Sequence, residues 1–351
     1  MAGQPDTVAA DEGSARGIRL PARLRRGSSA GERPLAGRWL VIADKELGDH
    51  ILGVRFFILL AILGLAAAGA IYSTASYVRG NAQNVAGLPG LFVLLFSHSD
   101  PNSQVPSFAV IIGLLGPLLG IVFGFDAVNG ERAERTLPRL VAQPIHRDDV
   151  INGKFVAGLS AIALVLGAVV LIVAGVAFFE LGVVPSADDV ARMLAWFVVT
   201  LAYIGLWLAF AMLCSVLARR AATSAVAAFS VWIALTLFGS LVVGILSDAL
   251  APVPATATLD QQVANAQLRL DLSRIAPDQL FTEATAYLLD PTTQTVGIVL
   301  SSQTEGALPN QVLPFEQSLL LGWAQAVTLI ALTVVCFGIT YVVFIRQEVR
   351  A

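Results

Sequence analysis

The chain has 351 residues, of which 56% are hydrophobic and only 13% are charged, and its formal net charge is −3. A soluble globular protein has roughly 25% charged residues. The apolar residues fall in runs of about 20 or more, the length that a helix needs to cross a bilayer. Composition therefore argues against a soluble helical bundle and predicts a polytopic membrane protein.

The N-terminal region divides into two segments. Residues 1–36 are polar and predicted to be a disordered basic tail. Its arginines act either as a membrane-surface and orientation signal or as part of a solvated tail; they are Arg16, Arg19, Arg23, Arg25 and Arg26. Residues 37–53 mix apolar and charged positions with Trp39, which is typical of a helix lying in the membrane interface.

Six apolar runs predict six transmembrane helices within a membrane domain at 54–345. The predicted spans are 54–77, 107–127, 155–179, 191–217, 222–247 and 318–345. Arg219 and Arg220 divide the fourth span from the fifth, because a turn that exposes both arginines costs less than leaving them in lipid. The predicted fold class is an all-α polytopic membrane protein with an N-terminal amphipathic interfacial helix.

The distribution of lysine and arginine predicts the orientation. Six spans place both termini on one side, together with the loop at 126–154 and the tail at 346–351. Of the 22 lysines and arginines, the opposite side holds only Arg79, Arg192, Arg269 and Arg274. Because positive residues accumulate in cytoplasmic loops, we expect both termini and the 126–154 loop in the cytoplasm.

The loop at 248–317, between the fifth and sixth spans, is the only long one on the predicted outer side. It is acidic, and its apolar residues recur at helical spacing through 259–275 and 278–289. These patterns predict a small helical extracytoplasmic loop. It serves either as a packing lid or as a contact for an extracytoplasmic partner.

The sequence lacks the common catalytic and nucleotide-binding motifs. It contains no GxxxxGK[ST] loop, no HExxH and no GxSxG. His50, His98 and His146 lie in different segments, and Cys214 and Cys336 lie inside apolar runs without histidine neighbours. We therefore expect no catalytic site, bound cofactor or metal in this chain.

Glycines follow one face of the second span. Gly116, Gly120 and Gly124 recur every four residues, so on a helix they form a groove that allows close helix–helix approach. Pro117 can kink the span at this point. The groove indicates either a moving, substrate-lining helix or an ordinary packing surface.

The densest charged block is FDAVNGERAERTLPRLVAQPIHRDDVINGK at 125–154, between two spans. On a helix its glutamates and arginines at 131–135 would form opposite-charge pairs at i,i+3 and i,i+4. Pro144 breaks that helix, and the residues after it predict a second short helix. A hairpin joined to two spans would act as a lever on both. The alternative is a purely solvated loop, which composition alone does not exclude.

This block resembles the signature loop of type-2 ATP-binding-cassette (ABC-2) transporter permeases, closest to the subgroup of the sodium-efflux and nitrous oxide reductase maturation permeases. The matching residues are Asp126, Glu131, Arg132, Glu134, Thr136, Leu137, Pro144, Arg147, Gly153 and Lys154. Arg135 stands where a glycine is usual, and Pro138 interrupts the first helix early. ADKELGD at 43–49 is similar to the amphipathic helix of that family, so the resemblance covers about residues 38–350.

The resemblance implies a permease subunit, one half of an exporter, and not an enzyme. ATP and Mg would be bound by a separate cytoplasmic ABC ATPase in two copies. A second permease copy or close relative would complete the complex in a bacterial or archaeal cell membrane, with no nucleic-acid partner. The implied docking residues are Glu131, Arg132, Glu134, Arg135, Thr136, Gln143, Pro144, Arg147, Asp148, Asp149 and Lys154, with a second contact at Lys45 and Glu46.

An alternative follows from relatives of the maturation type. The complex would move no solute and would instead pass an ATP-driven change of shape to an extracytoplasmic partner through the 248–317 loop.

Overall fold

The computed structural model describes residues 38–81, 83, 90–99, 103–133, 147–254, 256–295 and 312–347. The N-terminal tail at 1–36 lies outside these residues, as does most of the C-terminal tail. The described part contains eleven helices: α1 (Arg38–Leu52), α2 (Val54–Gly80), α3 (Leu91–Ser97), α4 (Phe108–Gly124), α5 (Asn129–Ala133), α6 (Arg147–Leu181), α7 (Ala187–Leu217), α8 (Ala221–Leu250), α9 (Leu259–Ser273), α10 (Pro277–Leu289) and α11 (Phe315–Arg346).

Six of these helices are long and apolar enough to cross a membrane: α2, α4 with its continuation to Glu131, α6, α7, α8 and α11. They match the six predicted spans in order, so the predicted all-α polytopic fold class is confirmed. Arg219 and Arg220 lie exposed in the short bend between α7 and α8. The bend keeps both guanidinium groups out of the helical core, as the cost of a charge in lipid requires.

The predicted short helix at the end of the charged block is not a separate element. α6 runs without interruption from Arg147 to Leu181, so the residues after Pro144 continue directly into the third span. The acidic first turn at Asp148 and Asp149 favours a helix start here, because carboxylates stabilise the N-terminal end of the helix dipole. Any force on this turn therefore acts on the whole third span.

The fourth span, α7, is the centre of the bundle. It packs against α4, α6, α8, α10 and α11, and its side chains Trp196, Tyr203 and Leu208 are fully buried. We call the end that holds α1, the end of α4 and the start of α6 the proximal end. The distal end holds the start of α4, the start of α7 and α10.

The glycine face of α4 lies against α7. A Cβ atom at Gly120 would lie 2.6 Å from the Ile204 carbonyl oxygen, and one at Gly124 would lie 2.7 Å from the Leu208 carbonyl oxygen. Gly116 meets the Ile204 side chain, where a Cβ atom would lie 3.1 Å from Cγ1. The two backbones approach too closely for side chains at 120 and 124, so this face is a packing surface and lines no cavity at these positions.

Pro117 creates a defect in α4 that α7 repairs. Proline has no N–H, so the carbonyl of Gly113, four residues earlier, loses its normal helical partner. The Tyr203 hydroxyl donates a hydrogen bond to that carbonyl oxygen at 2.8 Å. Helices in a membrane tolerate proline where a neighbouring helix satisfies the freed carbonyl in this way.

Helices in the loop between the fifth and sixth spans were predicted correctly. α10, however, packs within the helical bundle and does not form a lid over the bundle. Phe281 of α10 stacks on Tyr203 with ring centroids 4.6 Å apart, and Trp196 donates to Thr285 Oγ1 at 3.1 Å. Glu283 is fully buried, where it accepts from Arg274 Nε at 3.0 Å and Gln325 Nε2 at 2.8 Å. α10 is thereby fixed to both α7 and α11.

A fully buried arginine fixes the same end of α7. Arg192 Nε pairs with Asp188 at 2.6 Å, and its Nη1 donates to Ser318 Oγ at 2.9 Å and to the Leu288 carbonyl at 3.3 Å. A further bond reaches the Leu313 carbonyl at 2.5 Å. Because a buried guanidinium needs all of its donors satisfied, this residue holds the ends of α7, α10 and α11 together.

Candidate functional site: the proximal joint

Helix α1 lies tightly along the start of α6. The contact depends on Gly153, where a Cβ atom would lie 2.8 Å from Ile42 Cγ2 and 3.0 Å from the Trp39 carbonyl oxygen. Any larger residue at 153 would push the two helices apart. The close packing places the polar face of α1 directly beside Lys154, the next residue of α6.

Lys154 joins three parts of the chain. Its ammonium group lies 2.7 Å from Glu131 Oε1, after the second span, and 3.0 Å from Glu46 Oε2 on α1. The three side chains are only 7%, 16% and 14% exposed, in the order Lys154, Glu131, Glu46. Breaking a buried ion pair by removing one partner costs about 3–5 kcal/mol, so the pairing strongly favours one relative position of α1, α5 and α6. We call Glu46, Glu131 and Lys154 the proximal joint.

A second ion pair ties the first span to the second beside the joint. Arg55 Nη1, at the start of α2, lies 2.5 Å from Asp126 Oδ2, just after α4. The same guanidinium lies over the Phe125 ring, 5.2 Å from its centroid. Because the Arg55 side chain is largely exposed, the pair contributes only about 0–1 kcal/mol and serves mainly to orient the two helix ends.

His50 fills the space between α1 and the end of α4. Its ring meets Phe123 edge to face, with centroids 5.2 Å apart. Burial lowers the pKa of His50, and the nearby carboxylates of Glu46 and Asp126 oppose that shift only in part. At neutral pH the imidazole is therefore uncharged and adds no positive charge beside Lys154.

The turn after α4 is fixed to the end of α7. The backbone N–H groups of Val128 and Asn129 both donate to Ser215 Oγ, at 3.0 and 3.1 Å. Movement of this turn therefore pulls directly on the central helix. Sequence reasoning missed three residues of this region: Ser215, Arg55 and His50. For Ser215 the reason is that nothing in the sequence relates a serine at the end of the fourth span to a turn 87 residues earlier.

The structure brings three of the sequence-predicted contact residues, Glu46, Glu131 and Lys154, into one cluster. Lys45 is largely exposed and pairs with Asp49 at 3.3 Å. The remaining described side chains lie on the first turn of α6: Arg147 and Asp148 are half-buried, and Asp149 is buried. Arg147 donates to the Gln347 carbonyl at 3.1 Å, which connects this turn to the end of α11.

Several predicted contacts cannot be placed. Glu134, Arg135, Thr136, Gln143 and Pro144 lie outside the described residues, and for Arg132 only the backbone of α5 is described. Gly116, Gly120 and Gly124 belong to the α4–α7 contact and lie apart from the joint. Contact with an ATPase stays a prediction for every one of the proposed docking residues.

A family model described as ABC-2 family transporter protein matches residues 40–349, almost the whole of the described chain. No curated protein matches the chain significantly.

Proposed function

The chain belongs to the ABC-2 transporter family, and from this premise we propose that an ABC ATPase docks on the 126–154 hairpin and moves the second and third spans through the proximal joint. Family membership makes the chain a membrane-spanning permease component of an ABC transporter, a class that works with an ABC ATPase subunit. We assign ATP and Mg to that subunit, in two copies per complex.

The observation that carries the proposal is the position of Lys154. It pairs at once with α1 and with the segment that follows the second span, while its own backbone belongs to the third span. A rigid ion cluster transmits displacement because its members cannot separate without a large energetic cost. An ATPase that pushes on the start of α6 would therefore move α1, α4 and α6 together.

We further propose that the joint faces the cytoplasm, as the lysine and arginine distribution predicts, and that transport is outward. The resemblance to the sodium-efflux and nitrous oxide reductase maturation subgroup supports export. α8, the least buried of the six spans, is the proposed contact with a second permease copy. The mass of the detergent-solubilised complex tests this pairing, since a monomeric permease would contradict it.

The docking surface is tested by reversing one charge on the first turn of α6. Asp148→Lys is the suitable change, because Asp148 is half-buried whereas Asp149 is buried. Co-expressed with its partner ABC ATPase, the variant should lose co-purification of the ATPase at least tenfold. The matched control is Asp260→Lys, an exposed acid in the first turn of α9 at the distal end.

The control should co-purify like the natural chain. If Asp148→Lys retains the ATPase as well as the control does, with unchanged ATP turnover, the docking assignment is wrong. If Asp148→Lys no longer elutes as a folded species, Asp148→Asn takes its place. Asp148→Asn should retain less ATPase than the natural chain does.

A second function is favoured by the way that the distal helices are attached. α9 is held by the fifth span, through Arg269 and Asn265, which bond to Asp248 at 3.3 and 3.0 Å. α10 is instead fixed to the fourth and sixth spans through Arg192 and Glu283. A movement of α8 relative to α7 would thus shift α9 relative to α10, which would present a changed surface to an extracytoplasmic partner.

Removal of α9 alone tests this alternative. Replacing 259–273 with a short glycine–serine linker leaves the buried helix α10 in place. A complex that signals to a partner should keep ATPase assembly and lose capture of that partner. A transporter that needs no partner should keep both assembly and transport, which would contradict the alternative.

A further inference from the structure

A cavity of about 400 Å³ lies at the distal end of the bundle. The start of α4 forms one wall and α10 forms another, while Thr236 of α8 and His98, directly after α3, complete the lining. This volume falls within the range of about 300–1,000 Å³ that is usual for small-molecule sites. Neither the proximal joint nor the proposed ATPase surface includes any of these residues.

Part of the cavity lining is apolar. Val110 and Leu114 of α4 and Phe281 of α10 contribute to it. Phe281 is fixed by its stacking on Tyr203, with an interplanar angle of 11°, and it is only 1% exposed. Val110 and Leu114 therefore offer most of the apolar surface that a hydrophobic ligand would meet.

α10 also brings a carboxylate to the cavity. Asp278 lines the cavity from the first turn of α10. Backbone N–H groups of that turn stabilise the carboxylate in part, but burial still raises the pKa of Asp278. Among the described residues no lysine or arginine forms an ion pair with it. Arg274, the nearest arginine in the chain, pairs with Glu283 and Asp271 instead.

The charge around the cavity has one sign. The loop at 248–317, which contains α9 and α10, carries eight acidic residues in the sequence, against Arg269 and Arg274 alone. Asp290 also lines the cavity, where it accepts bonds from Thr292 and Thr293 at 2.6 and 2.9 Å and remains a source of negative potential. Such a potential attracts cations and repels anions of the same size.

We propose that this cavity binds a lipophilic organic cation, with its charged centre beside Asp278 and its apolar body against Phe281, Val110 and Leu114. The site requires no ATPase, so its occupancy can be measured on the full-length permease alone, whether or not the proposed docking surface is correct.

The test uses two ions of nearly equal size and shape and opposite charge. Tetraphenylphosphonium and tetraphenylborate are each titrated by equilibrium dialysis against the purified chain in nanodiscs, with empty nanodiscs to subtract partitioning into lipid. The phosphonium should bind saturably and the borate should not. Asp278→Asn should weaken phosphonium binding at least tenfold, and Leu114→Trp should abolish it by filling the cavity.

Two controls keep the outcome interpretable. Asp260→Asn, an exposed acid on α9, should bind like the natural chain. Leu114 is half-exposed, so its replacement should leave the thermal transition unchanged, and Asp278→Asn removes a charge that burial already disfavours. Equal binding of both ions, or phosphonium binding that is unchanged in Asp278→Asn and Leu114→Trp, would overturn the proposal.

Discussion

At position 154 a lysine ammonium group lies between carboxylates from two other parts of the chain, 108 residues before it at Glu46 and 23 residues before it at Glu131. Each of the three residues stands out in the sequence, but as a surface contact for a partner. Their meeting depends on how α1 packs across α6, which periodicity does not reveal. At the residue scale, therefore, the sequence indicates which charges matter and not with whom they pair.

Tyr203 is the residue for which the structure makes the simplest prediction. Tyr203→Phe keeps the ring that stacks on Phe281 and removes only the hydroxyl that satisfies the Gly113 carbonyl. A buried acceptor left without a partner costs about 1–3 kcal/mol, so the thermal transition in detergent should fall. Tyr72→Phe, at a largely exposed tyrosine of α2, is the control. An equal effect in both variants would show that the bond contributes nothing.

At the scale of elements, hydropathy predicts the six spans and their order well because each span must be apolar to cross lipid. It fails at two places for identifiable reasons. Polar residues at the start of α6 predict a separate short helix, but the structure has one helix from Arg147 to Leu181. A helix that leaves the membrane can continue unbroken, and hydropathy does not reveal this. The amphipathic pattern of α10 predicts a helix but cannot identify its partner, and the buried bonds of Glu283 decide that.

The close contact of α4 with α7 yields a prediction at this scale. Gly120→Ala places a Cβ atom 2.6 Å from a backbone oxygen of α7, so the helices must separate along their length. We expect a loss of about 1–3 kcal/mol in stability, the usual cost of overpacking. Gly64→Ala in α2, where a Cβ atom meets nothing within 4 Å, should be neutral. Thermal unfolding of both variants is measured in one detergent. Equal transition temperatures for the two variants would contradict the close contact between α4 and α7.

Over the whole molecule, α7 connects the two ends of the bundle. Its last turns hold the segment after the second span through Ser215, and its first turns hold α10 and α11 through Arg192. A displacement that begins at the proximal joint can therefore reach the distal cavity along one continuous helix. This is the physical basis for proposing that an ATPase at one end changes the shape of the other.

The central claim is that the proximal joint transmits this displacement, and one measurement on the assembled complex tests it. Cys214 and Cys336 are replaced by alanine. Phe179→Cys then introduces a single cysteine at an exposed position near the distal end of α6, and an environment-sensitive fluorophore is attached to it. Lys154→Met, which removes the cation that Glu46 and Glu131 share, is compared with Arg219→Met, an exposed cation in the bend between α7 and α8.

With the ATPase bound, ATP and Mg should change the fluorescence in the parent and in Arg219→Met. In Lys154→Met the ATPase should still co-purify, while the ATP-dependent change is lost. A response in Lys154→Met equal to that of the parent would contradict the account.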